Sequence, residues 1–554
     1  GWYSNTPGLA AYRGPWAIET LARETLLDRA ARQIGIDPVE IRRRNLCTAA
    51  DQPSVTPLGI PREDITPAQC LEKLLEVVDV PAFRAEQAAA RARGRYLGLG
   101  LAAYIEPTGA AGSIAVMTGE LAQLRIEPTG RVVAVMSVHS QGHGTQTTMA
   151  QCIAEQLGVP IEDVTIFDGD SSRGGFGPGA GGSRQGVIGG GAAIRAGRLL
   201  ADKVKVVAAH LLNASPEAIS LADGMVHVAG APEMRRTLRE IAEIAYGEPG
   251  RLPPGMETGL EAQYRYDPPP MTFTSAAHAC IVEVDADTGF VTIRRWVSSE
   301  DCGVMINPAV VEGQIAGGLA QAIGSVLLEE AARDAQGNPT AATFKDYALP
   351  TIFDVPDFEY VHADTPSQAE GGFRGVGEGG CIIGPPTLVN AIADALSPFG
   401  EVPVDLPLTP DKLMTVIEGQ PWPERPVSRF HPDHRAPEVD APAPAAPPAP
   451  TVAPAAPVGI DGAWKLVLAT PMGPQPMVAH FQVSGDRVTG RLEADQGSQE
   501  FVGTIAGNQV AWEMKVTKPM SITLKYALLF DGDSVSGKCK MGLFGTAKVR
   551  GERA

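Results

Sequence analysis

The chain has 554 residues, 44% hydrophobic and 20% charged, which suits a protein of about three or four domains with sizeable cores. A formal net charge of −18 argues against nucleic acid or an anionic membrane as partner, because neither attracts a strongly acidic surface. No window approaches the roughly 18 apolar residues of a membrane span, and the first residues carry no signal-peptide pattern. The sequence does not begin with Met, so an upstream portion is expected. Its 7 cysteines are scattered, form no Cys-x-x-Cys, and read as free thiols of a reducing, cytoplasmic compartment.

Residues 17–34 place Ile18, Leu21, Leu27, Ala30 and Ile34 close to helical period, and Gly35 ends the run. Asp37 and Pro38 then read as an N-cap and first helical residue. The basic run Arg42, Arg43 and Arg44 falls in the last turn of that short helix, where it is expected to complement the helix dipole. Residues 121–138 alternate around Pro128, Thr129 and Gly130, a hairpin signal, and residues 277–296 do the same around Asp287, Thr288 and Gly289. The likeness of the two hairpins suggests two related half-domains. Residues 145–157 set Met149, Ile153 and Leu157 on one helical face, and residues 192–212 form a longer Ala-rich helix. Alternating strands and helices over residues 100–420 predict an α+β body made of two α/β halves.

Residues 436–457 form a Pro/Ala-rich linker, a composition that cannot pack a core. Beyond it, short strands from Trp464 to Met541, with turns such as Ser484-Gly485-Asp486, predict a small all-β antiparallel barrel or sandwich. The expected domains are 1–435, 436–457 and 458–554.

Five Gly-rich or polar segments, far apart in the chain, share a composition suited to backbone recognition of one large ligand. They are residues 11–16, 140–144, 177–186 with 189–193, 311–318 and 371–380. None is a Walker P-loop or a Rossmann fingerprint. Glu378 is the only carboxylate in the last segment, and a single acid caged by glycines suits a general base held over a bound ligand. His139 and His143 are four apart, but a glycine-broken loop does not present them on one helical face and no acidic third ligand is near. No metal ligand is therefore expected from side chains, and His278 reads as structural.

Taken in order, these segments resemble the molybdopterin-binding large subunit of the xanthine oxidase/aldehyde oxidase family. The nearest branch is that of the bacterial aldehyde oxidase and carbon monoxide dehydrogenase-like enzymes. The likeness rests on Ala-Tyr-Arg-Gly at 11–14, Gly-Ile-Asp-Pro-Val-Glu-Ile-Arg-Arg-Arg-Asn-Leu at 35–46 and Ser-Gln-Gly-His-Gly at 140–144. It continues through Gly-Ser-Arg at 182–184, Asp-Cys-Gly-x-x-Ile-Asn-Pro at 301–308, Gly-Gln-Ile-x-Gly-Gly at 313–318 and Gly-Val-Gly-Glu-Gly-Gly at 375–380. The resemblance implies molybdopterin cytosine dinucleotide carrying molybdenum, bound mostly through main-chain groups. Its contacts would be Gln141, Gly142, His143, Gly181, Gly182, Ser183, Arg184, Gln314, Gly375, Val376 and Gly377. Arg13 and Gly14 would form an active-site loop, with Tyr12 and Trp16 shaping substrate entry, and Glu378 would be the catalytic base.

The implied reaction is hydroxylation of an aldehyde or N-heteroaromatic carbon with water-derived oxygen. Electrons would leave to partner subunits carrying an iron–sulfur (2Fe–2S) centre and FAD, since this sequence shows no iron–sulfur cysteine cluster and no flavin fingerprint. The alternative is a cofactor-binding or scaffolding homologue without catalysis, against which a caged carboxylate beside an anionic ligand speaks. Two departures from the family pattern stand out. The family's large subunit carries a further Gly-rich cofactor segment ahead of the 11–16 loop, so a partner chain or an upstream segment is expected to supply it. Carbon monoxide dehydrogenases carry a copper-binding Cys in that loop, whereas residues 11–16 contain none, which speaks against CO oxidation.

Overall fold

The computed structural model describes residues 13, 16–56, 59–109, 119–269, 271–332, 334, 338–423, 459–470, 473–494, 497–516, 522–540 and 546–554. The chain divides into two compact units, Gly1–His431 and Pro432–Ala554. The Pro/Ala stretch 436–457 lies outside the described residues.

Helices α1 (Trp16–Ile34) and α2 (Pro38–Asn45) form where the sequence places them, and Asp37 caps α2 by accepting from Val39 N at 2.7 Å. The basic run does not act as one patch. Arg43 and Arg44 are exposed and pair with Glu72 and Glu40, but Arg42 is buried. Its guanidinium binds Glu24 at 2.9 Å and Asp28 at 3.1 Å, both on α1, and donates to Leu101 O at 2.7 Å. The expected dipole role is corrected for Arg42. Helix α1 turns two acids, one helical turn apart, into the interior, and they need a countercharge there. Burial still raises the Asp28 carboxyl above its ordinary range, with Arg42 opposing the rise.

Two four-stranded sheets frame this unit. The chain enters them through β1 (Tyr96–Gly109), then makes the hairpin of β2 (Glu120–Ile126) and β3 (Val132–Met136). Helix α3 (Thr145–Leu157) follows, β4 (Val164–Phe167) returns parallel to β3, and a loop leads into α4 (Gln185–Leu212). After β5 (Glu261–Tyr266) the same order repeats. A hairpin of β6 (Thr272–Val284) and β7 (Val291–Asp301) leads to α5 (Pro308–Leu327). Strand β8 (Phe358–His362) then returns parallel to β7, and a loop leads into α6 (Gly379–Ala395). The strand ahead of each hairpin pairs with the other half. Strand β1 lies antiparallel to β6 and β5 antiparallel to β2, giving the orders β5-β2-β3-β4 and β8-β7-β6-β1. The four connections that enter α3, α4, α5 and α6 all leave the carboxyl ends of strands, the position at which α/β sheets bind ligands.

Two Gly-rich segments turn out to be helical. Helix α4 starts at Gln185, ahead of the expected residue 192, and buries Gly189, Gly190 and Gly191 in its interior. A Cβ on Gly191 would fall 2.4 Å from the Tyr266 ring, and one on Gly190 would fall 2.9 Å from the Phe373 ring. This close packing offsets the ~1 kcal/mol that each glycine costs a helix. Residues 311–318 lie within α5, whose length and composition would allow it to cross a membrane, contrary to the sequence expectation. Its Ile315, Leu319, Ile323 and Val326 instead pack in a core with Leu388 and Ile392 of α6.

The second unit is a closed barrel of eight antiparallel strands, from β9 (Gly462–Thr470) to β16 (Thr546–Arg553). The sequence reading stopped one strand early. The inward side of β16 carries just two buried apolar side chains, Ala547 and Val549, between outward Lys548, Arg550 and Glu552, so its apolar signal is short. Pairing of β16 with β9 closes the ring, for example Leu466 opposite Gly551. An eight-stranded barrel is just wide enough for side chains to fill. Aromatic rings do so here, Trp512 stacking on Phe501 and on Tyr526 with centroids 4.5 Å apart in each case.

Replacing Arg42 by Ala would strand Glu24 and Asp28 in the interior. A loss of about 3–5 kcal/mol is expected in denaturant unfolding of the whole chain. A fragment of residues 459–554 is expected to unfold cooperatively by itself, with the same midpoint by tryptophan fluorescence and by circular dichroism.

Candidate active site

A cavity of about 530 Å³ opens where the four strand-to-helix loops meet. Thr145 in the first turn of α3, Gln185 in that of α4, Val310 in that of α5 and Glu378 at the N-cap of α6 all line it. A helix N-terminus carries the equivalent of roughly half a positive charge and free N–H groups. Four of them around one space make a site for an anion.

The residues singled out from the sequence converge here. Arg13, Gln141, Gly142, His143, Gly181, Ser183, Arg184, Gln314, Gly375, Val376, Gly377 and Glu378 all line this cavity. Gly182 is absent from the wall, but its N–H donates to Glu378 Oε1 at 3.1 Å. Trp16 begins α1 and is not part of the wall, while Tyr12 and Gly14 lie outside the described residues.

Glu378 is held from both sides. Its backbone N–H donates to Ser183 Oγ at 3.0 Å, and Ser183 Oγ donates to Glu106 Oε1 at 2.8 Å. Ser183 has φ of 50°, a left-handed conformation that costs a non-glycine residue about 1–2 kcal/mol and that these contacts hold in place. The second carboxylate oxygen, Glu378 Oε2, is buried without a hydrogen-bond partner. The loops themselves touch closely, since a Cβ on Gly375 would fall 1.8 Å from Ser183 O. Arg13 fixes the other flank, donating to Gly377 O at 2.6 Å and to Gln314 O at 3.3 Å.

The opposite wall is tied by His143. Its Nδ1 accepts from Gln141 N at 3.2 Å, which leaves the proton on Nε2 to donate to Gln185 Oε1 at 2.6 Å. Gln185 Nε2 in turn donates to His139 O at 2.9 Å. Arg184 pairs with buried Glu120 and donates to Gly179 O at 2.7 Å, so its guanidinium braces the 177–186 loop. Among the described residues, no group of three His, Cys, Asp or Glu side chains could hold a metal ion. His278 is buried against Glu300 at 2.8 Å and Ser298 at 2.8 Å.

Sequence reasoning missed Glu106, Glu120 and Gln185. A lone acid inside the apolar run of β1 was the available signal for Glu106, and the Ser-Arg-Gln step before α4 was the signal for Gln185. Glu120 opens an ordinary strand and gave no signal.

The donors on the wall fit a phosphorylated pterin. Its phosphate would meet the N–H groups at the helix starts, and Gly181, Gly375 and Gly377, without side chains, leave backbone open to a planar ring system. Comparison with known proteins agrees. Models of the molybdopterin cofactor-binding domain match residues 73–356 and residues 1–46. The chain belongs to the family of molybdopterin-binding large subunits of molybdenum hydroxylases. Within that family it is 40% identical over 427 residues to the nicotine 6-hydroxylase large subunit of Paenarthrobacter nicotinovorans, covering 76% of this chain and 52% of the relative. It is 36% identical to the carbon monoxide dehydrogenase large chain of Hydrogenophaga pseudoflava, covering 74% and 52%. Among solved structures, quinoline 2-oxidoreductase from Pseudomonas putida 86 superposes with a TM-score of 0.69 at 43% identity, covering 74% of this chain and 53% of that one. The chain thus spans about half the length of the curated relatives it matches.

A methyl group at Gly375 would drive the two loops apart. Gly375→Ala is expected to destabilise the chain by about 1–3 kcal/mol and to weaken cofactor retention, measured as molybdenum per chain after gel filtration.

Proposed function

We propose that this chain is the catalytic portion of a molybdenum hydroxylase acting on an N-heteroaromatic carbon. The observation that carries the reading is Glu378 Oε2, a buried, unpartnered carboxylate oxygen on the wall of a cavity otherwise built of backbone donors. When bound, a molybdenum-bearing pterin supplies the two-electron redox chemistry. Residues Gln141, Gly142, His143, Gly181, Ser183, Gln314, Gly375, Val376 and Gly377 would hold it, and we take its form to be the cytosine dinucleotide. Arg13 and Arg184 keep the surrounding loops in place. Glu378 takes the proton released as water-derived oxygen joins the substrate carbon.

The choice of a heteroaromatic over an aldehyde draws on two relatives named for nicotine and quinoline. The chain's belonging with subunits named as large supports partner subunits, on which we place the 2Fe–2S centre and FAD. A partner or an upstream segment would complete the cofactor pocket. The seven free thiols, five of them buried, support a reducing compartment.

In the loaded enzyme, Glu378→Gln is expected to retain molybdenum and released cytidine nucleotide near wild-type levels. Dye-coupled oxidation of N-heteroaromatics should fall by about 10²–10⁴-fold. Unchanged turnover would remove Glu378 as the base, and an absence of nucleotide in the wild type would remove the proposed cofactor.

A further inference from the structure

Behind the cavity wall lies a second carboxyl that the proposed reaction does not use. Glu106 sits on β1, fully buried, with Oε1 accepting from Ser183 Oγ at 2.8 Å and Oε2 left without a partner. The Ser183 hydroxyl joins this carboxyl to Glu378, since the oxygen that donates to Glu106 also accepts from the Glu378 backbone N–H at 3.0 Å. Glu378 also has one buried oxygen without a partner. Two ionised carboxylates cannot face each other in such a place, because each would present only lone pairs and like charge. One proton on Glu106 Oε2 removes the repulsion and gives the pair a hydrogen bond.

We propose that Glu106 is a positioning residue for Glu378: a neutral acid whose one proton bridges the two carboxyl groups and aims that of Glu378 at the cavity. The role rests on Glu378 being the base, but the shared proton does not depend on turnover. Ser183 fixes the geometry, since one hydroxyl contacts Glu106 and the backbone of Glu378 together. Burial, then the neighbouring Glu378 carboxylate, push the Glu106 acid well above the ordinary carboxylate range. The titratable and charged groups around the pair are Tyr104 on the same strand, Glu300 and His278 on β7 and β6, Cys381 on α6, Cys70, and the Arg13 guanidinium. Tyr104 and Cys381 are themselves raised by burial and stay neutral near pH 7. Glu300 adds a further carboxylate that favours protonation of Glu106.

The test is infrared titration of the full chain with isotope-labelled glutamate, without substrate. A buried protonated carboxyl band is expected at neutral pH, and Glu106→Gln should remove it. Glu378→Gln should keep the band but make it titrate at lower pH, because the neighbouring charge that favours the proton is gone. Stability gives a second reading. With the folded Glu106 raised, its contribution is full below the unfolded carboxyl value of about 4.3 and declines as pH rises toward the folded one. Glu106→Gln should abolish that decline. In the holoenzyme, Glu106→Leu, which lacks a donor, should lower kcat about tenfold or more, while Glu106→Gln keeps a donor and more of the rate.

Absence of the band in wild type, its persistence in Glu106→Gln, or an unmoved titration in Glu378→Gln would each overturn the proposal. If Glu106→Gln does not fold, the Glu378→Gln titration decides alone. Correct band behaviour without turnover of any heteroaromatic would uphold the dyad while counting against the proposed reaction.

Discussion

Four helices start at one cavity, and that arrangement carries a cost which the rest of the body has to meet. Each helix start presents roughly half a positive charge and several N–H groups without helical partners. Bringing four such ends together is unfavourable unless negative charge sits among them. Among the described residues of the wall, the protein contributes one acidic side chain, Glu378, at the N-cap of α6. A phosphorylated ligand would contribute the rest. The site is thus preorganised for an anion before any ligand arrives, and base and ligand draw on the same field.

The walls of the cavity are braced from behind. Arg184 with Glu120, His143 with Gln185, and Ser183 with Glu106 each use a buried polar contact to hold a loop that has almost no side chains of its own. Glycine-rich loops approach a ligand closely but are loose by themselves. Hydrogen bonds from flanking helices and strands restore the rigidity, and Ser183 accepts a left-handed backbone as part of that arrangement.

What the sequence disclosed follows the same division. The loops were legible because their composition is extreme: a lone Glu378 among glycines identifies itself, and so do residues 140–144. The hairpins and helices α1, α2 and α3 were legible from period and capping. The braces were not, because Glu106 and Glu120 are defined by strand pairings that no local pattern encodes. Arg42 looked like a dipole partner at a helix end until α1 and α2 were packed together. Gly189 to Gly191 looked like loop because glycine content alone does not distinguish a ligand contact from a helix pressed against Tyr266. Local signals fixed which strands form, but not which strands exchange.

That exchange has a consequence during synthesis. Strand β1 finds its partner only when β6 has been made, with Gly109 opposite Thr272 and Tyr96 opposite Val284. At usual translation speeds the interval is on the order of ten seconds. Throughout it one backbone edge of β1 stays unpaired, although its Leu97, Leu99 and Leu101 share a core with Cys70, Leu71, Leu74 and Phe83, which are made before them. A long unpaired strand edge readily accepts a strand from another chain, so pairing between chains is the hazard of that interval.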